Sequence, residues 1–301
     1  MKIVLASLGV AIGGRTLVDD VSLTLARGAR AALVGASGAG KSLTCAALAG
    51  TLAPAASVTG SLTIEGTDGP DGPEGPGRNL LRIPAARRPR AARAALVQQD
   101  PATALHPLIR VGDQVAAAAR AAGYGRREAP VRAQALLRRV GIVPALAERV
   151  PGRLSGGQRQ RVAVALALAA EPVLLLADEP TTALDVVARA ELLAVLDDVT
   201  ASAPAAPGAV PAPALLLVTH DLAAASLCDE IVVLHQGRVI ERGPARRVIT
   251  RPEHPVTRAM CTAAREETLA GALAAIEARA DITDHSVHEI IGPIAPAEVR
   301  A

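Results

Sequence analysis

The chain has 301 residues and a mass of 30.5 kDa, enough for one large α/β domain or two modest ones. Half of the residues are hydrophobic, which supplies a sizeable core and excludes global disorder. A net charge of +3 is too small to argue for a nucleic-acid partner, and none is expected. There is no Phe, no Trp and a single Tyr, Tyr124, so packing must come from Ala, Leu, Val and Ile. Only two of the 32 basic residues are lysines, Lys2 and Lys41. That bias, with the heavy use of Ala, Gly and Pro, suggests a GC-rich genome, and a lysine or histidine kept against it is informative.

Cys45, Cys228 and Cys261 are odd in number and contain no CxxC pair. They build neither a disulfide framework nor a zinc or iron–sulfur site, and they fit a reducing cytoplasm. The longest apolar stretch, 201–218, contains four prolines and cannot cross a bilayer as a helix. The apolar N-terminus leads straight into strand-like sequence without a convincing cleavage site, so it reads as structure rather than as a signal peptide. The expectation is a soluble, cytoplasmic chain.

Short β-like runs at 2–5, 8–12 and 21–25 are broken by Gly13-Gly14 and closed by Arg27-Gly28. Residues 31–34 predict a buried strand that runs into a glycine-rich loop, with a helix over 42–49. Residues 59–65 alternate as a half-exposed strand. Over 66–94 the pattern breaks: 66–77 is rich in Gly, Pro and Asp, while 78–93 carries six arginines and no acid. This stretch reads as a solvated loop insertion.

Residues 95–98 are strand-like, and 111–170 follow a helical pattern with breaks at 123–125, 141–144 and 151–152. Residues 173–177 predict a strand that stops at an acidic pair, 186–199 an amphipathic helix, and 201–214 an Ala/Pro spacer. Strands at 215–219, 231–234 and 239–240 follow, with a helix near 221–228. From 245 the tail is helical and turns acidic. Strands alternating with helices predict a largely parallel sheet with helices on both faces, and the helical block is an insertion between two strands.

Gly35-Ala36-Ser37-Gly38-Ala39-Gly40-Lys41-Ser42 satisfies GxxxxGK[ST] between a predicted strand and a predicted helix, the context this motif requires. The glycines let successive backbone N–H groups turn inward around phosphate oxygens, and the helix N-terminus adds partial positive charge. Lys41 reaches the β- and γ-phosphates, and the Ser42 hydroxyl ligates Mg²⁺. Downstream, the apolar run 173–177 ends in Asp178-Glu179. Neighbouring strand residues point to opposite sides, so the two carboxylates are expected to do different jobs. Asp178 fits a role on Mg²⁺, and Glu179 fits the general base that polarises the attacking water.

Leu154-Ser155-Gly156-Gly157-Gln158 is the third motif. Its S-x-x-Q spacing predicts a capping box that opens a helix over 159–170, and two glycines there allow close backbone approach to an anion. With this pentapeptide behind the phosphate loop, the chain resembles the nucleotide-binding subunits of ABC transporters over about residues 3–262. The resemblance implies a P-loop (RecA-like) α/β fold, with a mostly parallel core sheet, an antiparallel β subdomain and an inserted helical signature subdomain at about 100–170. It implies a nucleotide-binding domain over 1–244, carrying the 66–94 insertion, and a family-specific extension over 245–301.

The resemblance also implies roles. Gln99 looks like the glutamine that senses Mg²⁺ and couples to membrane subunits. Thr182-Ala183-Leu184-Asp185 looks like the D-loop, and His220 like the switch histidine at the γ-phosphate. The family stacks adenine on an aromatic where this chain has Ile12, so apolar contact replaces a ring and weaker, less selective adenine binding is expected. The implied cofactors are ATP and Mg²⁺, with ATP hydrolysis as the reaction. Each ATP would be clamped between the Lys41 side of one subunit and Ser155–Gln158 of another in a head-to-tail pair.

Residues 99–107, 110–114 and 252–260 look like the oligopeptide/dipeptide/nickel importer branch. That branch implies two transmembrane permease subunits, a second ATP-binding subunit (more often a different chain than an identical one) and an extracytoplasmic solute-binding protein acting indirectly. It places the chain on the cytoplasmic face of the membrane. An exporter of another branch is the alternative, and a soluble non-transport ABC ATPase a more distant one. With only Cys261 in the tail, no cysteine cluster is expected there, and Asp284, His285, His288 and Glu289 read as a solvated tail rather than a metal site.

Overall fold

The structure, a computed structural model, describes residues 1–66, 79–201 and 211–266. The chain divides into two units, Met1–Arg251 and Pro252–Ala301. In the first unit, β1 (Lys2–Ile12), β2 (Arg15–Ala26) and β4 (Ala56–Glu65) form an antiparallel sheet in the order β2-β1-β4. Here the runs 2–5 and 8–12 are one strand, and β2 starts at Arg15 rather than at 21. The break read from the sequence is a bulge. Registers shift between Leu5 and Leu8 while Ser7 and Asp20 adopt positive φ, so pairing continues across the irregularity.

The second sheet has the order β5-β6-β7-β3-β8-β9. It comprises β3 (Arg30–Val34), β5 (Ala94–Val97), β6 (Leu174–Asp178), β7 (Ala214–Thr219), β8 (Glu230–His235) and β9 (Arg238–Pro244). All its pairs are parallel except β8 with β9. Every residue of β7 is buried, as expected of an interior parallel strand whose sequence is a continuous apolar run. Leu, Val, Ile and Ala fill the core that aromatic rings fill elsewhere.

The helices are α1 (Lys41–Ala49), α2 (Val111–Ala121), α3 (Glu128–Arg139), α4 (Pro144–Ala147), α5 (Gly156–Ala169), α6 (Val186–Thr200), α7 (Leu222–Ala225) and α8 (Ala245–Thr250). The block α2–α5 lies between β5 and β6, which are hydrogen-bonded neighbours, so it is an insertion into the sheet's connectivity. Helix α8 stays with the first unit: Ala245 N–H donates to the Asp229 carbonyl, and Arg247 to the Arg242 carbonyl. In the second unit, residues 255–266 are helical. The acidic tail with His285 and His288, most of the Ala/Pro spacer and most of the 66–77 stretch lie outside the described residues.

The described part of the arginine-rich stretch corrects the reading of it as a solvated loop. It folds into three 3₁₀ turns, at Leu80–Arg82, Ala85–Arg87 and Arg90–Ala92. Arg88, 3% exposed, lies inside them. Its guanidinium donates to the carbonyls of Ile83 (3.0 Å), Leu80 (3.0 Å), Ala47 (3.3 Å) and Leu48. The last two belong to the C-terminal turn of α1, where carbonyls lack intrahelical partners and the helix dipole is negative. Burial holds the Arg88 guanidinium down at about 10, still charged at neutral pH. A cluster of arginines thus looks solvated in sequence, while one of them is a buried plug for a helix end.

Candidate functional site

The parallel strands end level with one another. Val34 of β3 pairs with Thr219 of β7, Val218 with Asp178 of β6, and Ala177 with Val97 of β5. Each strand is followed at once, or after one residue, by a motif residue: Gly35, His220, Glu179 and Gln99. Carboxyl ends of parallel strands are where such sheets assemble ligand sites, because the turns into the next element converge there.

The phosphate loop joins β3 to α1. A side chain at Gly35 would place its Cβ 2.2 Å from the Leu234 carbonyl oxygen, so only glycine lets the loop leave the sheet here. Gly40 caps α1 at φ 100°, left-handed backbone that a β-carbon disfavours. Lys41 is 6% exposed. Its Nζ donates to the carbonyls of Gly35 (2.7 Å) and Ala36 (3.1 Å) and lies 3.7 Å from Glu179 Oε1.

The two carboxylates part company, though not by strand alternation. The strand ends at Asp178, and Glu179 takes φ 50°, with its N–H donating to the Val218 carbonyl at 2.9 Å. That left-handed turn, costly for a non-glycine residue, aims the carboxylate. Glu179 Oε2 accepts from the Thr182 hydroxyl at 2.8 Å and lies 2.7 Å from His220 Nδ1. Asp178 faces α1 and bonds the Ser42 hydroxyl. Burial pushes its carboxyl up, the Ser42 hydrogen bond pulls it down, and the charges of Glu179 and Lys41 act in opposite senses. Asp178 Oδ1 is buried without a hydrogen-bond partner. An orphaned carboxylate oxygen beside a serine hydroxyl is a hard-oxygen donor set that fits a divalent cation.

A cavity of about 800 Å³, large enough for a cofactor, joins Lys41, Ser42, Glu179 and His220, while Asp178 and Gly35 lie outside its lining. Leu17, Ser37, Gly38, Gly40, Lys41, Ser42, Leu43, Gln99, Glu179 and His220 line it. Ile12 is not among them: it is 37% exposed at the end of β1, and the apolar wall is Leu17 with Leu43. Leu17 went unremarked in the sequence because nothing distinguishes it from other apolar strand residues. Thr182, the second partner of Glu179, was legible only as part of the D-loop.

Ser155–Gln158 and Asp185 also lie outside the cavity lining. The capping box is formed as expected: Gln158 N–H donates to Ser155 Oγ (3.2 Å), and Ser155 N–H to Gln158 Oε1 (3.1 Å). Asp185 caps α6 by accepting from Ala188 N–H at 2.8 Å. These two helix starts touch: a β-carbon on Gly157 would stand 2.8 Å from Ala188 Cβ.

Residues 18–182 match the ABC transporter family model. The chain is 35% identical over 247 residues to the oligopeptide transport ATP-binding protein OppD of Haemophilus influenzae, covering 80% of this chain and 70% of that one. It is 36% identical over 249 residues to the dipeptide transport ATP-binding protein DppD of the same organism, with 81% and 70% covered. Among solved structures it is similar to CbiO1 of Clostridium perfringens, part of the ABC transporter complex CbiONQ. There the TM-score is 0.65 at 26% identity, covering 83% of this chain and 90% of that one. No helix among the described residues is long and apolar enough to cross a membrane. The family model spans more than half of the chain, and the relatives agree with it; the chain therefore belongs to the ABC transporter family, as one of its ATP-binding, ATP-hydrolysing subunits.

Proposed function

We propose that this ATPase powers uptake of oligopeptides or dipeptides through two partner permeases, from the cytoplasmic face of the membrane. The transport named for OppD and DppD supports the peptide class, as do residues 99–107, 110–114 and 252–260 of this chain. In this reading, Lys41 and the backbone N–H groups of 37–42 bind the β- and γ-phosphates. The base rests on apolar contact from Leu17, which lines the cavity; a contact from Ile12, outside that lining, is carried by the family resemblance alone. Ser42, Asp178 and Gln99 hold Mg²⁺, which when bound supplies charge neutralisation on the phosphates. Glu179 takes the proton of the attacking water, and the 2.7 Å contact with His220 Nδ1 keeps its carboxylate facing the γ-phosphate.

One observation carries the reading. Lys41, Gln99, Glu179 and His220 share a cavity that Ser155–Gln158 of the same chain do not line. A second ATP-binding subunit then presents its own serine-capped helix to this ATP, with Asp185 at the contact, and closing and opening of the pair drives the permeases. Glu179→Gln is expected to retain ATP affinity while turnover falls by about 100-fold or more, the usual worth of a general base. Sedimentation should show ATP-dependent pairing of that variant, alone or with its partner subunit. Full turnover in the variant refutes the assigned base; ATP binding with no gain in pairing refutes the two-subunit site.

A further inference from the structure

Gln160 lies in the second turn of α5, and it is 1% exposed. Its Nε2 donates to the main-chain carbonyl of Gln98 at 2.9 Å. Gln98 immediately precedes Gln99, which lines the phosphate cavity. The loop that carries both glutamines is itself closed. Thr103 Oγ1 bonds Gln98 Oε1 at 2.5 Å and the Asp100 carbonyl at 2.7 Å, and Asp100 Oδ1 accepts from Ala102 N–H at 2.8 Å. Helix α5 is 14 residues long and locked at its start by the capping box. At a rise of about 1.5 Å per residue, Gln160 stands only ~6 Å along the axis from Gly156, within continuous helix. A displacement of the 98–103 loop therefore reaches Ser155–Gln158 through the Gln160 hydrogen bond, beside the packing of 101–103 on α5, and a stiff rod.

We infer that Gln160 is a positioning residue that couples the two nucleotide-facing surfaces of a single chain. When Gln99 engages the γ-phosphate side of its own site, Gln160 carries that movement to the Ser155–Gln158 segment offered to the other subunit. The inference rests on the two-subunit reading above and adds to it a physical link between the sites. The donor is buried while the acceptor lies in an exposed segment, and one net hydrogen bond corresponds to a change on the order of tenfold.

The test is hydrogen–deuterium exchange on the full chain carrying Glu179→Gln, with and without Mg·ATP, too dilute for self-association. Gln160→Met keeps side-chain length and volume but removes the donor. ATP is expected to slow exchange at 98–103 whether residue 160 is Gln or Met. At 154–160 the ATP-dependent slowing should be about tenfold smaller in the Met variant. Equal slowing at 154–160 in both overturns the inference, whatever happens to the melting temperature. Thr103→Val, at an exposed position where the fold is safe, loosens the same loop and should shift 154–160 in the same direction; no shift there also counts against the coupling. If ATP protects 98–103 in neither protein, the nucleotide-site reading itself fails, and the inference falls with it.

Discussion

Replacing Arg88 with Met tests whether a buried guanidinium holds the phosphate-binding helix. Four carbonyls share this group, and two of them, Ala47 and Leu48, belong to the last turn of α1. A hydrogen bond to a charged donor is worth about 1.5–3 kcal/mol net, so losing the two that reach α1 costs about 3 kcal/mol even at the low end. Met fills the aliphatic part of the space, which keeps cavity formation out of the comparison. For a unit of this size, 3 kcal/mol lowers the melting temperature by roughly 6–12 °C. Urea unfolding followed by circular dichroism measures the difference directly. Arg88→Lys should recover less than half of it, because one ammonium cannot fan out to carbonyls on both the 80–83 turn and α1. A loss below about 1 kcal/mol in Arg88→Met, or full recovery with Lys, would refute the argument that the planar fork is what the fold requires.

Two further outcomes follow from the site and its surroundings. Ile12→Tyr should tighten ATP binding by roughly 2- to 12-fold in an equilibrium titration, the equivalent of one stacking contact of ~0.5–1.5 kcal/mol; unchanged affinity would leave the base to Leu17 and Leu43 and remove Ile12 from the site. Cys45 and Cys228 should resist a thiol reagent at pH 8 in the native protein and react at once in denaturant. Burial raises both thiols, Cys228 to about 12 and Cys45 well above its ordinary value with Asp178 adding to the effect, so almost no thiolate is present. Rapid native labelling of either would show that the core around it opens.

The chemistry was legible where it depends on residues close in sequence. The phosphate loop, the capping box and the strand ending in Asp178 are local patterns with local causes, and the parallel sheet follows from the alternation of strands and helices. Strand limits were less legible. The run at Ala6–Ser7 looks like a stop, but pairing with β2 and β4 on both sides carries β1 through it as a bulge.

What the sequence alone determined, then, is which side chains are available for phosphate, cation and base, because composition and spacing record those without a fold. What only the tertiary structure decided is which of them meet. Glu179 is aimed by a left-handed turn rather than by strand alternation, and Lys41 and His220, 179 positions apart in the chain, are brought into one cavity by the level ends of β3 and β7. Burial decided the rest. Arg88 reads like its exposed neighbours Arg82 and Arg87 until the end of α1 is seen to lie against it, since the cost of an unpaired carbonyl depends on what surrounds it and no local pattern encodes that.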